Sequence, residues 1–173
     1  MPYMNSHNAD RLVKTYADMI LRISYMYLKQ TQDAEDICQD VFMKLLSGDY
    51  TFKNPDHEKA WIIRTTINAC KDYLRIYFWK RATVLDDAGE VPSPKEPESD
   101  LLDLVMDLPR NYRISIYLHY YEGYSVREIA QNLGKSENTV SAYLVRGRKK
   151  LKTVLESRSE HQLSTLTGGS HYV

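Results

Sequence analysis

The sequence has little of what chemistry on small molecules requires. Its only cysteines are Cys38 and Cys70. Each sits inside a helix-patterned segment with no second cysteine or histidine at ligand spacing, which argues against a zinc site or a disulfide framework and leaves buried reduced thiols. No phosphate-binding glycine loop, metal cluster or nucleophile–base pair is recognisable, so no catalytic residue, metal or cofactor is expected and the chain reads as a non-enzyme. The carboxylates Glu35, Asp36 and Asp40 lack the Glu-x-x-His pair of a helix-bundle metal site. No apolar run approaches the roughly 18 residues of a membrane span. The opening MPYMNSHNAD has neither the basic nor the apolar segment of a secretory signal, so a soluble, cytoplasmic protein is expected.

Net charge is also missing: 23 Lys and Arg balance 23 Asp and Glu, which at first argues against a nucleic-acid partner. Divided along the chain, the balance disappears. Residues 1–82 carry +2, residues 83–108 carry −7, residues 109–155 carry +6 and the last 18 residues −1. A basic module stands behind an acidic connector.

The basic module holds the most organised stretch, Ser125 to Leu151, SVREIAQNLGKSENTVSAYLVRGRKKL. Ser125 followed by Glu128 makes a capping box, so a helix is expected from Val126. Its inward face is Ile129, Ala130 and Leu133, and Gly134 supplies the left-handed residue that stops it. Ser136 can cap a second helix with Val140 and Leu144 inward. Asn138, Ser141, Ala142, Val145, Arg146 and Lys149 then face out, short or cationic side chains suited to base edges and phosphates. This is the pattern of a helix-turn-helix that enters duplex DNA. An ordinary helical hairpin with a solvated basic end is the plainer alternative.

Upstream, residues 10–30 repeat Leu12, Tyr16, Met19, Ile20, Ile23, Met26 and Tyr27 at helical spacing. Asp33 is expected to cap a second helix to about Leu46, with Ala34, Ile37, Cys38, Val41, Phe42 and Leu45 inward and Glu35, Asp36, Gln39 and Asp40 outward. Residues 47–58 read as a loop carrying Tyr50, Phe52 and Lys53. Asp56 is expected to cap a third helix, His57 to Lys80, with Trp61, Ile62, Thr65, Ala69, Tyr73 and Ile76 buried. Arg64, Asn68, Lys71, Arg75 and Lys80 would lean outward. Tyr77, Phe78 and Trp79 fit packing or strand contact equally well.

Pro92, Pro94, Pro97 and many acids make 83–100 a flexible linker. A short helix over Leu101 to Leu108 and another over Pro109 to about Tyr121 follow, the latter with Tyr112, Ile116, Leu118 and Tyr120 as candidate core. The segment 156–173 has no periodicity and is expected to be disordered. The fold class is therefore all-α: two small helical domains, 10–82 and 101–155, joined by a flexible acidic linker.

Three of these segments, DAEDICQDVFMKLL, AWIIRTTINACKDYLR and the C-terminal stretch from Leu108 to Leu151, together resemble a group IV, or extracytoplasmic-function, bacterial sigma factor of the sigma-70 family. Their order and the acidic linker between them carry the resemblance over roughly residues 10–155. It implies that 10–82 is sigma region 2 and 101–155 is sigma region 4. It also implies a transcription initiation factor that binds core RNA polymerase, directs it to promoters and assists melting.

By that resemblance Asp36, Gln39 and Asp40 would dock on the coiled coil of the polymerase beta-prime subunit, and the beta subunit would be a further contact. Asn68 would contact the minus-10 element, opened to single strands. Arg64, Lys71 and Arg75 would hold its phosphates, and Tyr50, Phe52 and Lys53 would form the pocket loop. Asn138, Ser141, Ala142, Val145, Arg146 and Lys149 would meet the minus-35 duplex, with Arg148 and Lys150 on phosphates. Ser141 and Ala142 stand where many relatives have Arg or Lys and Ser, which weakens direct readout and favours shape readout. An anti-sigma factor is a further expected partner, and one anchored in a membrane would hold the protein near it. No small-molecule substrate and no membrane insertion are expected. A stand-alone helix-turn-helix repressor or activator is the rival; it leaves the acidic second helix and the aromatic-basic third helix without a task.

Overall fold

The computed structural model describes residues 6–82 and 100–167, and the chain divides into two compact units, Met1–Lys95 and Glu96–Val173. Every regular element among the described residues is helical. The acidic linker expected at 83–100 lies outside the described residues up to 99.

In the first unit α1 (Ser6–Leu28), α2 (Thr31–Ser47) and α3 (Pro55–Ala82) pack against one another. The α1 stripe is buried as its spacing predicts, from Leu12 to Tyr27, and meets Ala34, Ile37, Cys38, Val41 and Leu45 of α2. Phe42 is only half-buried. The joint between the two helices differs from the expectation. Lys29 takes a left-handed backbone, φ 55°, and α2 starts at Thr31 after Gln30, without a side-chain cap. Asp33 is thus in the first turn and accepts a hydrogen bond from the Tyr73 hydroxyl of α3. Burial first, and that carboxylate second, push the Tyr73 phenol up to about 12.

The start of α3 is corrected likewise. Asn54, not Asp56, is the cap: its Oδ1 accepts from the His57 backbone N–H at 2.8 Å. Pro55 fills the first helical position, where its missing N–H is no loss. The buried face is Ile62, Ile63, Thr65, Thr66, Ile67 and Cys70, a stripe turned from the expected one. Ile76 is 51% exposed. The cause is where the neighbours end: α1 stops at Leu28 and α2 begins at Thr31, and that joint lies beside Tyr73. Beyond it no other described helix covers α3.

Glu58 locks the other end of the bundle. Its carboxylate accepts from both terminal nitrogens of Arg11 at 3.0 Å and from the buried Tyr16 hydroxyl at 2.9 Å. The bond from Arg11 is the main reason its pKa falls below the ordinary carboxylate value.

The second unit packs α4 (Asp100–Met106), α5 (Arg110–Ile116), α6 (Val126–Leu133) and α7 (Glu137–Thr167) around Leu104, Leu108, Ile114, Leu118, Ile129, Val140 and Leu144. Arg113 is buried to 1% exposure and its Nη1 donates to the Leu108 carbonyl at 2.9 Å, closing the turn from α4 to α5. Tyr117–Tyr121 continues α5 as a π-helical turn. Tyr117, one turn on from the buried Arg113, is itself buried, whereas Tyr120, expected in the core, is 57% exposed and meets Arg148 of α7 instead. Glu156 to Thr167, expected to be disordered, continue α7 as helix. Hydroxyls of Thr153, Ser157 and Ser159 bond to carbonyls four residues back along it.

Candidate nucleic-acid interface

The turn between α6 and α7 is fixed by short-range hydrogen bonds. The Ser125 side chain accepts from the Glu128 N–H at 3.2 Å, and the Glu128 carboxylate accepts from the Ser125 N–H at 2.8 Å. Helix α6 therefore begins at Val126 and ends at Gly134, whose φ of 65° needs no Cβ to clear. The Ser136 hydroxyl accepts from the Thr139 N–H at 3.2 Å and starts α7.

Val140 and Leu144 seat α7 on the core. Gly147 continues that face: a Cβ there would lie 2.8 Å from Ile116 Cδ1, so α7 and α5 approach where only glycine fits without displacement. With this face buried, the opposite one presents Asn138, Ser141, Val145, Arg146 and Lys149 to solvent, and Ala142 is half-buried at its edge. All six expected duplex-contact positions therefore lie on one helix, with Ala142 the least accessible. Arg148 is engaged within the protein: its Nη1 donates to the Tyr120 hydroxyl at 2.6 Å.

The first unit presents a second cationic face. Arg64, Asn68, Lys71 and Arg75 are exposed on α3 at steps of four, three and four, which places them in one row. The Arg75 guanidinium meets Asp72 at 3.2 Å, a solvent-exposed pair of little energetic weight. Three residues before Arg64 and seven before Asn68, on the same side, lies Trp61. Its ring is met by Tyr50 at 4.4 Å and Phe52 at 5.8 Å. Phe52 is also edge-on to His57 at 5.6 Å, and the Lys53 N–H donates to His57 Nδ1 at 3.2 Å.

The loop from Gly48 to Asn54 is thus folded against α3 by aromatic contacts, with Tyr50 and Lys53 exposed and Phe52 half-buried. Gly48 allows it, because a Cβ there would run into the Tyr50 ring. Trp61, read from sequence as core, belongs with this cluster. Its spacing to Arg64 and Asn68 was the signal that could have found it. The row ends at Phe78 and Trp79, both exposed, while Tyr77 lies on another side of α3, stacked on Tyr73 at 6.3 Å and covered by the Arg81 guanidinium at 4.9 Å.

On α2 the outward side carries Glu35, Asp36, Gln39 and Asp40, all exposed. Met43 extends this side at helical spacing and is an exposed apolar group that the sequence reading passed over. Acids around an exposed methionine suit a basic, partly apolar protein surface better than DNA. Among the described residues no group of three or more His, Cys, Asp or Glu could hold a metal ion, and no helix is long and apolar enough to cross a membrane.

With these faces placed, comparison with known proteins is direct. The family model described as Sigma-70 region 2 matches residues 12–76, and that described as Sigma-70, region 4 matches residues 99–151. The RNA polymerase sigma factor SigV of Bacillus subtilis is 30% identical over 139 residues, covering 78% of this chain and 82% of that protein. The ECF RNA polymerase sigma factor SigE of Mycolicibacterium smegmatis is 30% identical over 161 residues, covering 87% of this chain and 62% of that protein. Among solved structures, the sigma factor RpoE in complex with the anti-sigma factor NepR from Bartonella quintana has the same fold, with a TM-score of 0.70 at 20% identity over 85% of this chain and 96% of that one.

Proposed function

Because the chain belongs to the extracytoplasmic-function group of the sigma-70 family of transcription initiation factors, we propose that its two units divide promoter recognition between them. It acts by binding and catalyses no bond change. Residues 10–82 are its polymerase-docking and minus-10 unit, 101–155 its minus-35 unit, and 83–100 the tether. Core RNA polymerase takes Asp36, Gln39 and Asp40 on its beta-prime coiled coil, with the beta subunit as a further contact. The minus-35 duplex takes α7 in its major groove through Asn138, Ser141, Ala142, Val145, Arg146 and Lys149. The minus-10 strand lies along Arg64, Asn68, Lys71 and Arg75, with Tyr50, Phe52 and Lys53 forming the pocket into which an unstacked base turns.

The observation that carries this reading is the α3 row. A duplex reader needs one basic face and already has it on α7. A second cationic row beside a partly exposed aromatic cluster, in a separate unit, fits capture of a strand as it leaves the duplex. The protein works in the cytoplasm, and an anti-sigma factor holds it inactive by covering these polymerase-binding faces. The solved relative bound to NepR supports such a partner.

The test is transcription from a pool of promoter fragments by purified core RNA polymerase with and without the protein, alongside duplex binding by the protein alone. Starts that require both components, with weak solitary binding, are the expected result. Tight solitary duplex binding without new starts would establish a stand-alone repressor or activator instead.

A further inference from the structure

The π-helical turn at Tyr117–Tyr121 has no part in the reading above, yet it brings two polar side chains of distant segments together. In the wider turn, closed by the Glu122 N–H on the Tyr117 carbonyl at 3.2 Å, Tyr120 stands outside. Its hydroxyl there accepts from Arg148 Nη1 at 2.6 Å. The Tyr120 ring is braced by His119, edge-on at 4.9 Å. That imidazole is itself tied through Nδ1 to the Tyr124 carbonyl at 2.7 Å.

Arg148 lies on α7 one turn beyond Val145 and next to Lys149, at the border of the face assigned to duplex DNA. A guanidinium has five N–H donors and spends one on Tyr120; the phenol that accepts it keeps its own proton to give. Two adjacent donors, one of them permanently charged, fit the oxygens of one phosphodiester.

We propose that Tyr120 is a positioning residue for promoter binding. It holds Arg148 ready for a backbone phosphate at the edge of the minus-35 duplex and adds its hydroxyl as a second donor. The inference rests on the reading of α7 as the duplex reader. Its physical basis is preorganisation: a free arginine loses rotamer freedom when it grips a phosphate, whereas one already held loses less. The contact positions the protein and reads no base, so its loss weakens all promoters alike.

The experiment uses the full chain with core RNA polymerase on a promoter fragment selected by the natural protein, with affinity measured across a potassium chloride series. Tyr120→Phe keeps every charge and is expected to weaken binding three- to tenfold at an unchanged salt slope. Arg148→Ala is expected to weaken it further and to lower the slope by about 0.9, the value for one phosphate neutralised. The double variant should lose less than the two single losses together, and Arg148→Lys should keep the slope while losing most of the sensitivity to Tyr120→Phe. A merely structural tyrosine would lower the unfolding temperature and add its loss to that of Arg148→Ala. Additive losses, or no loss from Tyr120→Phe, overturn the proposal. Arg146→Ala separates the two levels: if it weakens binding while Tyr120→Phe does not, only the positioning role fails. If neither it nor Arg148→Ala changes binding, the reading of α7 fails and the proposal with it.

Discussion

Replacing Glu58 by glutamine should destabilise the N-terminal unit in a manner that acid erases. The Glu58 side chain is 12% exposed and that of Arg11 50%, so the pair is neither a surface contact nor a dry one. Glutamine keeps an oxygen for the Tyr16 hydroxyl but sets an amide N–H₂ against a guanidinium and removes the charge. With Arg11 half in water the loss is discounted toward the surface range, about 1 kcal/mol. Glu58→Ala also takes the carboxylate acceptor from the buried Tyr16 hydroxyl and should cost more than Glu58→Gln. For a unit of this size each kcal/mol is about 4–8 °C of Tm.

The readout is built in, since Trp61 and Trp79 are the chain's two tryptophans and both lie in this unit. Tryptophan emission, excited selectively over tyrosine, therefore follows the unfolding of this unit. Arg11 lowers the Glu58 pKa in the folded state. The pair's contribution is fully present above the unfolded carboxyl's pKa of about 4.3 and is lost as pH falls through the lower folded value. The stability gap between the natural protein and the Glu58→Gln variant should hold from pH 7 to about 5 and close on further acidification. A gap that does not narrow between about pH 6 and pH 2 would refute the ion pair as its source.

Gly48→Ala should push the Tyr50 ring off Trp61, shifting tryptophan emission to longer wavelength and reducing promoter opening several-fold. Its effect on Tm should be small, because a loop side chain can move aside. Ser125→Ala removes the cap of α6 and should cost about 1 kcal/mol in urea unfolding of the C-terminal unit, while Ser125→Asp should cost little. Asn68→Ala should reduce promoter opening, scored by permanganate reactivity of unpaired thymines, more than it reduces core binding. Asp36→Ala with Asp40→Ala should reduce core binding, and the reverse pattern would exchange the two assignments. Burial first, and Glu35 second, raise the Cys38 thiol, and Cys70 is fully buried. Both should therefore react with a disulfide reagent at neutral pH no faster than the native unit opens.

The helix-turn-helix was legible residue by residue because what fixes it acts within one turn of chain: the Ser125–Glu128 exchange, the left-handed Gly134 and the Ser136 cap. The α1 and α2 stripes were legible because both helices are amphipathic along most of their length. The phase of α3 was not, since aromatic and aliphatic groups lie on several of its sides and only the end of its neighbours decides which are covered. Asp56 was an eligible cap, but Pro55 at the first helical position selects Asn54. The buried guanidinium of Arg113 depends on a carbonyl in the preceding turn, which no periodicity announces. The extension of α7 past Leu155 escaped because it has no apolar stripe; hydroxyl bonds to carbonyls one turn back and the 3.9 Å pair of Lys152 with Glu156 accompany it instead. At the interface, the row on α3 and the face of α7 were readable as spacing. Trp61 and Met43 were not, because an aromatic or apolar group on a helix is assigned to the core until the structure shows it at the surface.

The π-helical turn at Tyr117–Tyr121 has an evolutionary corollary. A π turn contains one residue more than the α turn it replaces. Deleting one residue there would let α5 run on as ordinary helix and change the direction in which Tyr120 leaves it, with the helix-turn-helix still following. Arg148 would then survive in an alignment while losing the group that holds it. If Arg148 grips a promoter phosphate as proposed, lineages that gained or lost this one codon would differ in that grip without a substitution on α7.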